Sequence, residues 1–168
     1  LLALSDKQQP EGDIHEWNTK NVYQGRLTRK ESKKRVFAWL YNPGSKDQLS
    51  SKAYSRDEVL KKYYNGSQVT TFFDRVIPAD DHHALNYIVQ STTSDLLLRR
   101  AIKIDKMLKE RKSYIAFTLH DSLVIDFAEE DRELLKQIVD TFKDTDLGSF
   151  VANISVGKNF GDLRRLKI

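Results

Sequence analysis

Hydrophobic and polar positions along the chain predict helices mixed with short strands. A Thr28-x-x-Glu31 capping box predicts a helix over about 28–41. Apolar residues at helical spacing predict the longest helix over about 80–110, with Asp80 and Asp81 at its positive end. Other segments follow the same rules: helices near 13–24, 56–64 and 130–142, a hairpin or strand at 68–77, and a last strand at 149–156. This mixture predicts an α+β fold.

The strongest break in the pattern is Tyr41-Asn42-Pro43-Gly44-Ser45. Proline and glycine stop a helix, so the capped helix is expected to end there. A helical subregion therefore precedes the break.

A β-hairpin with a polar tip is predicted over 114–127. Apolar residues alternate along both arms: Ile115, Phe117 and Leu119 on the first, Leu123, Ile125 and Phe127 on the second. The tip between them is His120-Asp121-Ser122. A carboxylate held at a rigid tip suits a hard divalent cation. An ordinary turn is the alternative, since Asp and Ser are common turn residues.

The capped helix repeats Arg29, Lys33, Phe37 and Tyr41 every four residues on one side. Two cations followed by two aromatic rings could hold a triphosphate and then a sugar and base. The alternative is an amphipathic helix with solvated cations and core aromatics.

Asn86 and Gln90 lie one turn apart on the long helix. Amides on one face can donate to minor-groove acceptors, which every correct base pair presents alike. The alternative is a pair of surface amides, or of buried amides bonded to neighbouring backbone.

Composition narrows the function classes. Lys plus Arg at 28 against Asp plus Glu at 24 gives +4, a mild bias toward polyanionic partners. The absence of cysteine excludes disulfides and thiolate metal sites. The sequence has no G-x-x-x-x-G-K-[ST] loop, which argues against a P-loop kinase or ATPase. With no apolar run of about 20 residues, no membrane partner is expected. We expect a soluble, intracellular protein of the cytoplasm, an organelle or a virus-infected cell.

Several motifs resemble, in the same order, those of family A DNA polymerases, the bacterial DNA polymerase I group. They are Asp13-Ile14-His15, the Arg29-x3-Lys33-x3-Phe37-x3-Tyr41 helix, the segment from Asp81 to Gln90, Leu119-His120-Asp121-Ser122, and the ending from Val156 to Asp162. Three positions depart from the family pattern. Asn42 stands for a glycine, His82 for an arginine and Ser122 for a glutamate.

The resemblance implies the C-terminal fingers-and-palm part of a DNA-directed DNA polymerase, which transfers a nucleotide from a dNTP to a primer 3′-hydroxyl with two Mg²⁺ ions. It makes Asp121 a metal ligand, with His120 near the primer end and Lys33 completing the catalytic set. The nucleotide would contact Arg29 and Lys33 at its triphosphate, His15 near the β-phosphate, Phe37 at the deoxyribose and Tyr41 at the nascent pair. The primer-template would contact Asn86, Gln90 and His82.

The resemblance also implies three parts: a palm remnant at 1–12, a fingers subdomain at 13–78 and a palm subdomain at 79–168. The family's first palm motif, D-Y-S-x-x-E, would lie just before Leu1, and the chain opens in an apolar segment without methionine. We therefore expect a truncated piece, a proteolytic fragment or one subunit of a split polymerase. Its partners would be primer-template DNA, dNTPs and an N-terminal fragment or subunit that carries the first palm aspartate.

A noncatalytic DNA-binding accessory module, derived from a polymerase, is the alternative function. The missing first palm motif supports it. The persistence of Arg29, Lys33, Phe37 and Asp121 argues against it, because a DNA clamp needs neither a triphosphate helix nor a metal carboxylate.

Overall fold

The computed structural model describes residues 1–42 and 44–166. The chain divides into two compact units: an N-terminal unit, Leu1–Asp95, and a C-terminal unit that begins at Leu96. The division falls inside the longest helix. The subdomain boundaries after residues 12 and 78 that the sequence predicts stay a prediction.

The N-terminal unit is mainly helical. After a 3-10 turn at Ala3–Ser5, its α-helices are α1 (Ile14–Trp17), α2 (Arg29–Tyr41), α3 (Gln48–Ala53), α4 (Arg56–Tyr63) and the first part of α5 (Ala84–Leu108). A π-helical stretch, Asn18–Val22, continues α1. Strand β1 (Gln68–Thr70) pairs antiparallel with β2 (Val76–Pro78).

Helix α2 begins where local side-chain chemistry predicts. The Thr28 hydroxyl accepts a hydrogen bond from the Glu31 backbone N–H, and the Glu31 carboxylate accepts one from the Thr28 N–H at 2.8 Å. Both bonds satisfy donors that a helix start leaves unpaired. Helix α2 ends at Tyr41, as predicted, and Pro43 lies outside the described residues.

A buried polar network fastens α2 to α3. The Tyr23 hydroxyl donates to Asp47 Oδ2 at 2.9 Å and contacts Ser50 Oγ at 2.8 Å, while Arg35 Nε donates to the same Asp47 oxygen at 3.0 Å. Asp47 also accepts from the Ser50 backbone N–H at the start of α3. Because buried polar groups are costly when unpaired, these bonds fix the arrangement as well as satisfy it. Beside them, the buried Trp39 indole donates to Ser51 Oγ at 2.8 Å.

Over the described residues 96–166, the C-terminal unit holds the rest of α5, one further α-helix and three pairs of short strands. Strand β3 (Tyr114–Leu119) pairs with β4 (Ser122–Asp126), β5 (Asp144–Thr145) with β6 (Gly148–Ser149), and β7 (Ile154–Val156) with β8 (Arg164–Leu166), all antiparallel. A 3-10 helix, Glu129–Leu134, leads into α6 (Leu135–Lys143).

An apolar core holds the β3–β4 hairpin in this unit. Ile104 and Leu108 of α5 and Ile138 of α6 are its buried centre. Side chains of both hairpin arms pack against it: Ile115, Leu123, Ile125 and Phe127. A β-bulge between Ile115 and Phe117 shifts the register of β3 and leaves Phe117 exposed, with its ring 5.8 Å from that of Phe160.

Glycine is required at residue 157 because the backbone passes close to itself there. A Cβ on Gly157 would lie 2.7 Å from the Asp162 carbonyl oxygen. Side chains close the same loop, since Asn159 Nδ2 donates to Asp162 Oδ2 at 2.7 Å. The C-terminal motif thus has a local structural basis.

The structure confirms the mixed α+β content, the capped helix and both hairpins, and corrects several bounds. Helix α5 begins at Ala84 rather than near 80, because Asp80 bonds the His83 N–H in a preceding turn. The single strand predicted at 149–156 is β6 and β7 instead. Among the described residues, none of the helices combines the length and apolar composition that a membrane span requires.

Candidate functional site

Four predicted site residues form one exposed face of α2, which we call the α2 face: Arg29, Lys33, Phe37 and Tyr41. Lys33 Nζ lies 5.8 Å from the Phe37 ring centroid, and the Phe37 and Tyr41 rings stack with centroids 6.0 Å apart. Phe37 is 39% exposed and Tyr41 50%, so neither ring is a core residue. This exposure removes the alternative in which Phe37 and Tyr41 are core residues; the core aromatic of α2 is Trp39.

His15, at the second position of α1, joins the α2 face. Its ring centroid lies 6.0 Å from that of Phe37. Burial and then the charge of Lys33 hold the pKa of His15 below its usual value, so the neutral imidazole is the main form at pH 7. Its Nδ1 is buried and, within the described part of the chain, has no hydrogen-bond partner. A buried polar atom left unpaired is uncommon in folded proteins.

Gln90 connects α5 to the far end of the same face. Its Nε2 donates to the Tyr41 hydroxyl at 3.0 Å, and its side chain is exposed. Asn86, one turn earlier, is half-buried, and its Oδ1 is buried with no partner among the described residues. His82 is exposed in the turn before α5. The sequence did not predict the contact between Gln90 and Tyr41.

Asp13 is a residue of this site to which sequence reasoning assigned a helix start and a place in a motif but no role in binding. Its Oδ1 accepts from the backbone N–H groups of His15 at 2.8 Å and Glu16 at 3.0 Å, which caps α1. Its Oδ2 accepts from Arg29 Nη2 at 2.5 Å. The Arg29 bond, together with the two N–H bonds, lowers the pKa of Asp13 to about 2. An aspartate that caps a short helix was a readable signal, but its ion pair with Arg29 was not.

The predicted metal carboxylate lies at the tip of the β3–β4 hairpin. His120 and Asp121 are the two residues of the tip, and both are exposed. His120 has φ 53°, in the left-handed region, which a two-residue hairpin turn requires at its first position. Asp121 Oδ1 accepts from the Ser122 hydroxyl at 3.3 Å. The turn therefore presents the Asp121 carboxylate to solvent.

This carboxylate suits Mg²⁺ as one ligand, because its oxygens are exposed and hard. A complete site needs more donors. Across residues 1–42 and 44–166, no cluster of three or more His, Asp or Glu side chains is arranged to hold a metal ion.

The predicted site residues thus fall into two groups. The N-terminal unit brings together His15, the α2 face and Gln90, with Asn86 one turn from Gln90 on α5. The C-terminal unit carries His120 and Asp121.

Comparison with solved structures shows that the fold is similar to that of a DNA polymerase domain. One similar structure is the POL domain of Pol1 from M. smegmatis, in complex with DNA primer-template and dNTP, with a TM-score of 0.63 and 18% sequence identity. The match covers 78% of this chain and 31% of that chain. No protein-family model matches the sequence, and no curated protein matches it. At this identity the likeness shows a polymerase-like fold.

Proposed function

We propose that the chain is the C-terminal fingers-and-palm part of a family A DNA polymerase and takes part in template-directed DNA synthesis. The observation that carries the proposal is the array of cations, aromatics and imidazole on and beside the α2 face, exposed within a polymerase-like fold. The similar POL domain was solved with primer-template and dNTP, which supports the same ligand classes here.

In this proposal the α2 face binds the incoming nucleotide. Arg29 and Lys33 hold the triphosphate, since a guanidinium and an ammonium are strong partners for phosphate oxygens. The ring of Phe37 packs on the deoxyribose, and Tyr41 lies against the nascent base pair. His15, neutral and with an unpaired Nδ1, bonds near the β-phosphate.

The α5 residues contact the primer-template. Asn86 and Gln90 donate to minor-groove acceptors, and His82 lies near the strand. Because Gln90 bonds Tyr41 in this structure, binding of DNA exchanges that bond for one to a base. In this proposal, residues next to the α2 face also detect whether the new base pair is correct.

Asp121 supplies one metal ligand, and His120 lies near the primer end. Bound Mg²⁺ would lower the pKa of the primer 3′-hydroxyl and neutralise charge on the leaving pyrophosphate. The reaction forms a bond from the 3′-oxygen to the α-phosphorus and breaks the bond to the pyrophosphate. A second carboxylate is required, which we assign to a polypeptide carrying the D-Y-S-x-x-E motif.

The test is primer extension by the chain combined with that polypeptide, in Mg²⁺ and dNTPs. We expect the primer to lengthen only when the dNTP matches the template base. Extension that ignores the template would contradict the proposal.

The accessory module remains a second candidate, because the described residues hold no complete metal cluster. It predicts salt-dependent binding of primer-template with no extension, even when the second polypeptide is present. The same assay, with a binding titration beside it, separates the two functions.

A further inference from the structure

We propose that Asp13 is a positioning residue for the nucleotide site, which holds the Arg29 guanidinium ready for a triphosphate while it caps the helix that carries His15. This inference rests on the proposed function and concerns a residue that the polymerase assignment leaves without a role. It follows from the fact that the two oxygens of the Asp13 carboxylate bond different partners, one at the start of α1 and the other on Arg29.

The two oxygens of Asp13 serve two elements. Oδ1 bonds the first turn of α1 at 2.8 and 3.0 Å, and Oδ2 bonds Arg29 Nη2 at 2.5 Å. One rigid group therefore sets the distance between the start of α1 and the start of α2. His15 and Arg29, two proposed phosphate contacts, are located relative to each other through it.

Holding Arg29 has a consequence for binding because its side chain is long and half-exposed, at 51%. An unrestrained arginine loses rotamer freedom when it binds a ligand, and this loss weakens affinity. Asp13 occupies one of the five guanidinium donors and leaves the others for phosphate oxygens. Arg29 is thus restrained in advance and still able to bind.

Repulsion between Asp13 and a phosphate is limited by the same contacts. The carboxylate charge is compensated by Arg29 and by two backbone N–H groups at a helix start. If Asp13 instead competed with phosphate for Arg29, it would have to release the guanidinium before a phosphate could bind. Removing the Asp13 charge should weaken phosphate binding in the first role and strengthen it in the second, so a binding measurement decides between them.

The substitution that isolates the ion pair is Asp13→Asn, since asparagine caps a helix about as well as aspartate but carries no charge. Asp13→Ser keeps the cap as well and cannot reach Arg29. The matched control is Asp6→Asn, which removes the charge of an exposed ion pair with Lys62 in the same unit. Thermal unfolding of each variant checks that the helix cap and fold persist.

The probe is inorganic tripolyphosphate, titrated calorimetrically into the full chain. We expect Asp13→Asn and Asp13→Ser to weaken its binding about two- to tenfold, the effect of ordering one long side chain. Asp6→Asn should change it by less than about twofold, as for other exposed pairs.

The double variant Asp13→Asn, Arg29→Ala supplies the second measurement. If Asp13 acts through Arg29, it should bind no more weakly than Arg29→Ala alone. Unchanged or tighter binding by Asp13→Asn overturns the inference, and so does a loss that persists without Arg29. If the unsubstituted chain binds no tripolyphosphate, the inference and the triphosphate role of Arg29 both fall. If it binds but the reconstituted enzyme extends no primer, the proposed function alone falls.

Discussion

The two units of the chain differ in how their candidate site residues are held in place. In the N-terminal unit, hydrogen bonds and ring contacts join His15, the α2 face and Gln90 into one exposed array. In the C-terminal unit, an apolar core holds a hairpin whose tip presents the single carboxylate of Asp121. Under the proposed function, nucleotide binding and metal chemistry would therefore belong to different units: the described residues that would bind the nucleotide contact one another, whereas Asp121 would need further metal ligands.

The largest effect is expected for Asp121→Asn, which should lower the rate of nucleotide incorporation without changing phosphate binding. Asp121→Asn should lower primer extension by the reconstituted enzyme about 1000-fold, the upper end for loss of one charged stabiliser. Tripolyphosphate binding should be unchanged, because that surface belongs to the other unit. Measured rates of single-nucleotide incorporation test this prediction.

Asp126→Asn is the control for Asp121, since Asp126 is an acidic residue of the same hairpin that bonds the Tyr114 hydroxyl at 2.9 Å. It should leave incorporation within a few-fold of the unsubstituted enzyme. Equal rates for the two variants would remove Asp121 from the mechanism.

Lys33→Ala should weaken both binding and chemistry. Its ammonium faces triphosphate charge that grows toward the leaving pyrophosphate, so incorporation efficiency should fall by about 2 to 4 kcal/mol in transition-state terms. Lys34→Ala, one residue along on the exposed helix surface, is the control and should have little effect. Intact efficiency in Lys33→Ala would assign Lys33 to a solvated surface.

Phe37→Tyr tests the sugar contact at the middle of the α2 face. A normal dNTP can fold its 3′-hydroxyl toward its own triphosphate, whereas a dideoxynucleotide leaves that polar niche empty. The added phenolic hydroxyl should fill it, a contact of about 1.5 to 3 kcal/mol. Discrimination against dideoxynucleotides should fall by about one to two orders of magnitude.

The measurement is the ratio of dNTP to ddNTP incorporation efficiency in both enzymes. Because Phe37 is 39% exposed, the substitution has room for a hydroxyl and should not disturb the core. An active variant with an unchanged ratio would mean that the ring of Phe37 lies away from the sugar.

The sequence correctly predicted elements that depend on interactions between residues near one another in the chain. The Thr28 and Glu31 capping box and the alternation along 114–127 each correspond to an observed element. The sequence did not predict contacts between residues far apart in the chain. Examples are Asp13 with Arg29, 16 residues apart, and Tyr23 with Asp47, 24 residues apart. No periodicity or motif spacing encodes such pairs, because tertiary packing selects them.

The site was predictable to a similar extent. The four-residue spacing on α2 correctly placed one exposed face, and the structure excluded the core alternative for Phe37 and Tyr41. The roles of these residues in binding and catalysis stay predictions, since the likeness to the POL domain shows fold alone. Helix α3 was not predicted, although Asp47 caps its start through the Ser50 N–H, because its six residues are too short to show a helical period.

The smallest expected effects are on the free energy of unfolding, for one tyrosine substitution in each unit. Tyr23→Phe removes a hydroxyl that donates to the buried Asp47, and should lower the free energy of unfolding by about 1 to 2 kcal/mol, because Asp47 keeps its bonds from Arg35 and Ser50. Tyr114→Phe removes an exposed tyrosine–aspartate bond in the other unit and should cost less than about 0.5 kcal/mol. Denaturant unfolding at pH 7 measures both.

The pH dependence of unfolding sharpens the same test. Burial, followed by the neighbouring Asp47, raises the pKa of Tyr23 to about 12 from an ordinary value near 10. A raised folded-state pKa means that the unfolded chain loses the proton first, so this contribution is present below about pH 10 and disappears as the pH rises toward 12. Tyr23→Phe should therefore lose less stability across that window than the unsubstituted chain. Equal costs for the two Tyr→Phe variants, with parallel alkaline profiles, would contradict the assignment of the polar network as the element that holds α2 and α3 together.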